Sequence, residues 1–158
     1  MRVLALDIGQ VRTGIAASDL SGQIASPLCV LPTRELIDGA RSFRRVLEDY
    51  EPDVLLCGLP YTMAGEEGPQ AQFVRDVAKM ISSGCDIPLE FTDERLSSIE
   101  AKRILKERGM RERSMRGKID MIAASLFLQT WLDANGNRKV YHDHTSESTR
   151  RNEGFQNG

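Results

Sequence analysis

The order of extended and helical segments predicts an α/β layered domain with a mixed five-stranded sheet. Three observations predict it: three short apolar runs open the chain, the apolar spacing then becomes helical, and strand and helix alternate from there on. Taken in order, residues 2–8 are a short apolar run ending at Gly9, read as a buried strand, and residues 13–18 follow after a brief turn. Residues 24–31 supply a third strand, and links this short predict an antiparallel meander.

Leu36, Ala40, Phe43, Leu47 and Tyr50 then recur at helical spacing, and residues 53–58 form another buried strand. Phe73, Val74, Val77, Met80 and Ile81 mark a second helix, entered at Pro69 or Gln70, and residues 87–92 a fifth strand. A third helix is expected over 99–108, with Ser97 and Glu100 at capping-box spacing and Gly109 just past its end. The last helix is expected over 118–133, with Ile122, Ala123, Leu126, Phe127 and Trp131 as its buried stripe. The resulting order, β-β-β-α-β-α-β-α-α, places right-handed crossovers onto parallel strands after the meander.

Size and composition fit one domain. The chain has 158 residues, 41% hydrophobic, enough to bury a core but not to build two comparable ones. No internal repeat occurs. After Asn135 the chain is rich in Asn, Ser, Thr, Arg and Gly, so residues 1–134 are expected to be the folded domain and 135–158 a flexible polar tail. Cys29, Cys57 and Cys85 are far apart and form no Cys-x-x-Cys pair, which reads as reduced thiols rather than a disulfide or zinc site. Asp7 interrupts the N-terminal apolar run, and no run reaches the roughly 18 apolar residues needed to span a bilayer. A cytoplasmic protein with no membrane partner is expected.

The formal net charge of −2 hides a division along the chain. Residues 1–101 carry 9 Lys and Arg against 16 Asp and Glu, whereas residues 102–118 carry 8 against 2. Local fields rather than the total steer a polyanion, so this block, which leads directly to Asp120, is a candidate grip on a nucleic-acid backbone. Its members include Arg108, Arg111, Arg113, Arg116 and Lys118.

Acids stand at three places where a sequence built only for folding would rather not put them. Asp7 ends a buried strand, Asp93-Glu94 follow the fifth strand, and Asp120 opens an otherwise apolar helix. Each has a structural explanation singly, as a turn former, a cap or a partner of the helix dipole. Together they point to one edge, because parallel strand ends of an open α/β sheet converge there. Gathered carboxylates repel unless a cation compensates, and hard oxygen donors without His or Cys favour Mg²⁺ or Mn²⁺, in a one- or two-metal site suited to displacement at phosphorus. Gly9 and Gly14 around Arg12 fit either backbone approach to a phosphate or a tight hairpin turn. Gly58, Gly65 and Gly68 read either as part of an anion-holding loop before a helix or as an ordinary connection. His142 and His144 lie in the polar tail and are given no catalytic role.

Four motifs then stand in order: Leu6-Asp7-Ile8-Gly9 with Arg12, Gly14 and Ser18-Asp19; Gly58-Leu59-Pro60 with Met63, Gly65 and Gly68; Asp93-Glu94-Arg95-Leu96-Ser97; and Lys118-Ile119-Asp120 with Ala123-Ala124. This set resembles the YqgF-type family of bacteria, described as pre-16S ribosomal RNA nucleases and as RuvX-like Holliday-junction resolvases. The resemblance covers most of residues 1–134. It implies an RNase H-like fold with helices on both faces of the sheet, and cleavage of structured nucleic acid, with maturation of the 5′ end of pre-16S rRNA as the usual role. By the same resemblance Asp7, Glu94 and Asp120 are the catalytic, metal-binding carboxylates, with Asp93 as the fallback for Glu94. Arg12, Arg95 and the basic block are then the nucleic-acid contacts. Val11 and Ala64 depart from the family pattern, which has a lysine and an acid there. Two alternatives stay open: a resolvase of four-way DNA junctions, which would need to work as a homodimer, and a non-catalytic RNA-binding ribosome-assembly factor.

Overall fold

A computed structural model describes residues 1–95, 97–115 and 117–135, apart from the side chains of Ser98, Glu112 and Arg113. The expected tail beyond Asn135 and the expected contact Arg116 lie outside the described residues, as does the side chain of Arg113.

The first three strands are β1 (Val3–Ile8), β2 (Arg12–Ser18) and β3 (Ala25–Pro32), paired antiparallel as the short links require. Two parallel strands, β4 (Val54–Leu59) and β5 (Leu89–Asp93), complete a sheet of order β3-β2-β1-β4-β5. All six residues of β4 are buried, as expected of a parallel strand covered on both faces. Pro27 and Pro32 lie on the edge strand β3, where a missing N–H costs no ladder bond.

Successive side chains of a strand alternate between faces, and this sorts the core into two layers. Leu4, Leu6, Ile8, Ile15, Leu55, Cys57 and Leu59 pack against α1 (Thr33–Ile37), α2 (Arg41–Tyr50) and α3 (Pro69–Cys85). Val3, Ala5, Ala16, Val54 and Leu56 pack on the other face, against Ala124, Phe127, Leu128 and Leu132 of the helix spanning residues 119–135, here α6. The remaining helices are α4 (Ser97–Glu107) and α5 (Glu112–Met115).

Four local expectations change. The single helix expected from Leu36 to Tyr50 is two helices, because Gly39 adopts a left-handed backbone (φ 64) that ends α1. Ala40 is the residue before α2 and not part of a helical stripe. In α3, Val74, Val77, Ala78 and Ile81 are buried and Met80 is half exposed. In α6 the buried stripe is Ala123, Ala124, Phe127, Leu128 and Leu132, turned by about one residue from the expected one, which leaves Ile122, Leu126 and Trp131 only partly covered. Small side chains at 123 and 124 bring that helix close to the sheet.

The helix ends follow local chemistry. Pro69 opens α3, where its missing N–H is no loss. Past α4, Gly109 (φ 76) and Met110 donate to the carbonyls of Lys106 (2.9 Å) and Leu105 (3.1 Å), a paired C-terminal cap. All three cysteines are free thiols.

Candidate active site

Asp7 is the last but one residue of β1, and its lateral neighbours in the sheet are both glycines. Gly14 stands directly opposite it on β2. On β4, Leu6 pairs with Cys57, so the next residue along, Gly58, flanks Asp7 on the other side. Lateral neighbours share a face of a sheet, here the α6 face, so Asp7 projects between two positions that carry no side chain.

Other groups fill that space. A Cβ at Gly14 would lie 2.1 Å from the carbonyl carbon of Asp120 and 2.4 Å from the amide nitrogen of Met121, so the start of α6 rests directly on β2. A Cβ at Gly58 would lie 2.7 Å from Glu94 Oε2 and 2.9 Å from the Phe127 ring. Gly14 thus admits the main chain that bears Asp120, and Gly58 admits the Glu94 side chain. These two glycines are strand residues that give room to the acids, which differs from the loop role expected of them.

Glu94 reaches the site because β5 ends beside it. Its amide donates to the Leu59 carbonyl at 3.2 Å, one step beyond the last β4–β5 pair, Leu59 with Asp93. Asp93 faces away: its carboxylate accepts from the Arg95 amide and the Arg95 guanidinium, each at 2.8 Å. The alternation of adjacent side chains therefore separates the two acids, sending Glu94 to Asp7 and Asp93 to Arg95.

The side chains of Asp7 and Glu94 stand within hydrogen-bonding reach of one another. Burial pushes both carboxyls above the ordinary range, and the charge of Asp7 drives Glu94 further still. Asp120 is also raised by burial, while Arg12 pulls it the other way from 3.8 Å. Among the described residues no three Asp, Glu, His or Cys side chains are gathered closely enough to hold a metal ion. Asp7 and Glu94 touch, and Asp120 stands beside them in ion-pair range of Arg12.

The turn that carries Gly9 and Arg12 is tied down from behind. Thr33 Oγ1 donates to the Gly9 carbonyl at 2.7 Å and lies 2.9 Å from Thr13 Oγ1, while the Thr33 amide donates to the Val11 carbonyl at 3.0 Å. Thr13 and Thr33 are fully buried, so these bonds lie in a region of low dielectric. A Cβ at Gly9 would meet the Arg12 carbonyl at 2.6 Å, which makes Gly9 the residue of a tight hairpin. Sequence reading passed over the two threonines, which lie 20 positions apart and belong to no motif.

The second glycine loop folds on itself. Thr62 and Glu66 pair at 2.8 Å, Tyr61 and Glu67 form a bridge, and Gly65 takes a left-handed turn (φ 81). Gly68 precedes α3, and its carbonyl accepts from Ala71 at 3.1 Å. Arg95 stacks over the Tyr61 ring, 5.8 Å from its centre, which ties this loop to the acidic strand end. Arg108, Arg111 and Lys118 are exposed. Arg103 differs, because Glu100 and Glu107 of its own helix already engage its guanidinium.

Antiparallel meander and parallel extension, with carboxylates meeting at the ends of β1 and β5 beside a packed helix, make this an RNase H-like fold. A family profile for RuvX, described as Holliday junction resolvase, matches residues 1–134. A Thermosynechococcus vestitus protein named "Putative pre-16S rRNA nuclease" is 39% identical over 132 residues, covering 84% of this chain and 87% of the relative. Similarly named proteins of Acaryochloris marina (41% over 130 residues; 82% and 90% covered) and Chloroflexus aurantiacus (37% over 148 residues; 92% and 97%) also match. The chain belongs to the RuvX family. Among solved structures, T. thermophilus RuvC in complex with a Holliday junction substrate superposes with a TM-score of 0.54 at 13% identity, covering 87% of this chain and 96% of that one, a likeness of fold.

Proposed function

We propose that the chain is a divalent-metal-dependent phosphodiesterase that acts on structured RNA, in processing of the 5′ end of pre-16S rRNA in the cytoplasm. Asp7, Glu94 and Asp120 serve as its catalytic carboxylates, within a nuclease domain of residues 1–134. The observation that carries this reading is the pair of glycines beside Asp7, which gives two further acids access to one strand end. A sheet built for stability alone would fill positions 14 and 58 with side chains.

The donor set fits Mg²⁺ or Mn²⁺: three carboxylates, each raised by burial, with no His among the described residues and the neighbouring Cys57 packed into the other core layer. One or two bound ions would activate water and stabilise the leaving oxygen at phosphorus. Gathering the set calls for side-chain movement, since Gly14 already seats the Asp120 main chain against β2. Arg12, set beside Asp120, neutralises that acid and offers its outer nitrogens to a phosphate. Arg95, braced by Asp93 and Tyr61, presents a second fixed cation near Glu94. Arg108, Arg111 and Lys118 add exposed cations to this grip, and Arg113 and Arg116, of the same basic block in the sequence, are assigned to it as well.

The matched family profile is that of Holliday junction resolvases, which favours a second reading in which the same chemistry acts on four-way DNA as a homodimer. Metal titration of cutting on a pre-16S leader RNA and on a four-way junction, parent beside Asp7→Asn, separates the readings. Metal-dependent cutting of the RNA alone, abolished in the variant, supports the first. Paired symmetric nicks in the junction by a dimer support the second. Binding without cutting of either substrate overturns both in favour of a silent assembly factor.

A further inference from the structure

The arginines of α2 are placed against the interest of the helix. A helix favours acids in its first turn and bases in its last, because its dipole is positive at the N-terminal end. In α2 the order is reversed: Arg41, Arg44 and Arg45 fall in the first half, Glu48 and Asp49 in the last turn, and no side chain caps the start. Three guanidiniums and the positive end of the dipole therefore add at one place. They are exposed and line a surface groove of about 400 Å³ together with Glu48. Among the described residues no carboxylate lies within ion-pair distance of any of the three, whereas Arg2, Arg12, Arg34, Arg75, Arg95 and Arg103 each have one.

Topology fixes where this patch lies. Arg2, just before β1, donates through Nη1 to the Tyr50 carbonyl and to Glu51, so the last turn of α2 sits at the start of β1. The arginine end of α2, about 15 Å away along the axis at 1.5 Å per residue, therefore lies toward the end of the sheet that carries Asp7, next to last in β1. It lies on the opposite face from α6, because Phe43, Val46 and Leu47 of α2 pack on the other core layer. The patch and the carboxylates thus share an end of the molecule and differ in face.

We propose that Arg41, Arg44 and Arg45 form a second contact for a nucleic-acid backbone, one that holds an arm of substrate as it leaves the carboxylates and passes round the sheet end. The proposal rests on the phosphodiesterase reading and narrows its substrate class to nucleic acids extending several nucleotides beyond the cut. Guanidiniums that have no carboxylate partner among the described residues can neutralise phosphates along a strand, and such contacts read no sequence.

The test compares the parent with the triple variant Arg41→Gln, Arg44→Gln, Arg45→Gln. Fluorescence anisotropy across a salt series uses two probes, an RNA hairpin with a long single-stranded extension and a six-nucleotide RNA. The triple variant should bind the long RNA about tenfold more weakly, and the slope of log affinity on log salt should fall by about 2. Affinity for the short RNA should stay unchanged. Relief of the dipole conflict should leave the melting temperature equal or higher, and Arg45→Gln alone, a milder change, should show about a third of the slope loss. A triple variant that matches the parent in affinity and slope overturns the proposal and leaves the phosphodiesterase reading intact. So does one that keeps RNA binding but loses binding to polyglutamate, an outcome that assigns the patch to an acidic protein. A parent that binds neither RNA fails the parent reading itself and the proposal with it.

Discussion

Gly58 and Glu94 occupy one another's space: a methyl group at position 58 would stand 2.7 Å from a Glu94 carboxylate oxygen and 2.8 Å from its Cβ. The first prediction follows from this contact. Gly58→Ala should displace Glu94 and press on Phe127, destabilising the protein by about 1–3 kcal/mol, typical of overpacking a filled core. Gly14→Ala should cost more, because the obstruction there is main chain rather than a side chain able to turn. Urea unfolding beside cleavage assays checks both, and parent-like stability in both variants would remove the close-packed site.

The raised carboxyls of Asp7 and Glu94 make stability depend on pH. Both carboxyls bind protons more tightly folded than unfolded. From about pH 4, the ordinary carboxyl range, up to their raised values, the folded state therefore holds more protons. Stability in chelator should be greatest at the acid end of that window and should fall as pH rises through neutrality. Asp7→Asn and Glu94→Gln should each flatten the decline and raise the melting temperature at pH 8 by several degrees, on the order of 1–2 kcal/mol. Added Mg²⁺ or Mn²⁺ should do the same for the parent. A melting temperature in chelator that rises from pH 5 to pH 8 would contradict this.

Adjacent acids should differ in effect. Asp7→Asn, Glu94→Gln and Asp120→Asn should each lower the cleavage rate by about a hundredfold or more while leaving the circular dichroism spectrum unchanged. Asp93→Asn should act mainly by loosening Arg95, weakening substrate binding more than the rate at saturation. Equal losses at 93 and 94 would deny their separation.

Thr33 ties the hairpin turn to α1 through its hydroxyl. Thr33→Val keeps the shape but leaves the Gly9 carbonyl without this donor and the buried Thr13 hydroxyl without its partner, at a cost of about 1–3 kcal/mol. Arg12 should be less well placed, so affinity for substrate should fall as well. Thermal melts and anisotropy on the same variant check the two effects together.

Arg103→Ala, by contrast, should leave salt-dependent binding as it is, because Glu100 and Glu107 already neutralise that guanidinium. Arg12→Ala should weaken binding by several-fold in low salt. A reversal of these two outcomes in anisotropy would show that local pairing does not decide which basic residues are free to bind.

Much of this molecule is local and so legible in the linear chain. Apolar runs and helical spacing marked all five strands and the four longer helices, Gly109 marked the end of α4, and three acids stood out because each interrupts an apolar pattern. The break at Gly39 was readable in principle from the glycine alone, but the regular spacing of Leu36, Phe43 and Leu47 on both sides masked it. The phase of the α6 stripe was not readable, since it depends on which side chains face the small residues of β2 and β4. Nor was the pairing of Arg103, which makes one cation of the basic block unlike its neighbours.

By itself the sequence determined which residues form strands and helices and where acidic side chains stand at their ends, because backbone propensity and apolar periodicity act over a few positions. Only the tertiary structure decided that Asp7 lies between Gly14 and Gly58, that Glu94 rather than Asp93 touches it, and that Asp120 is brought in on α6. Those relations arise from strand pairing and layer packing between segments far apart in the chain, and no local pattern encodes lateral neighbours.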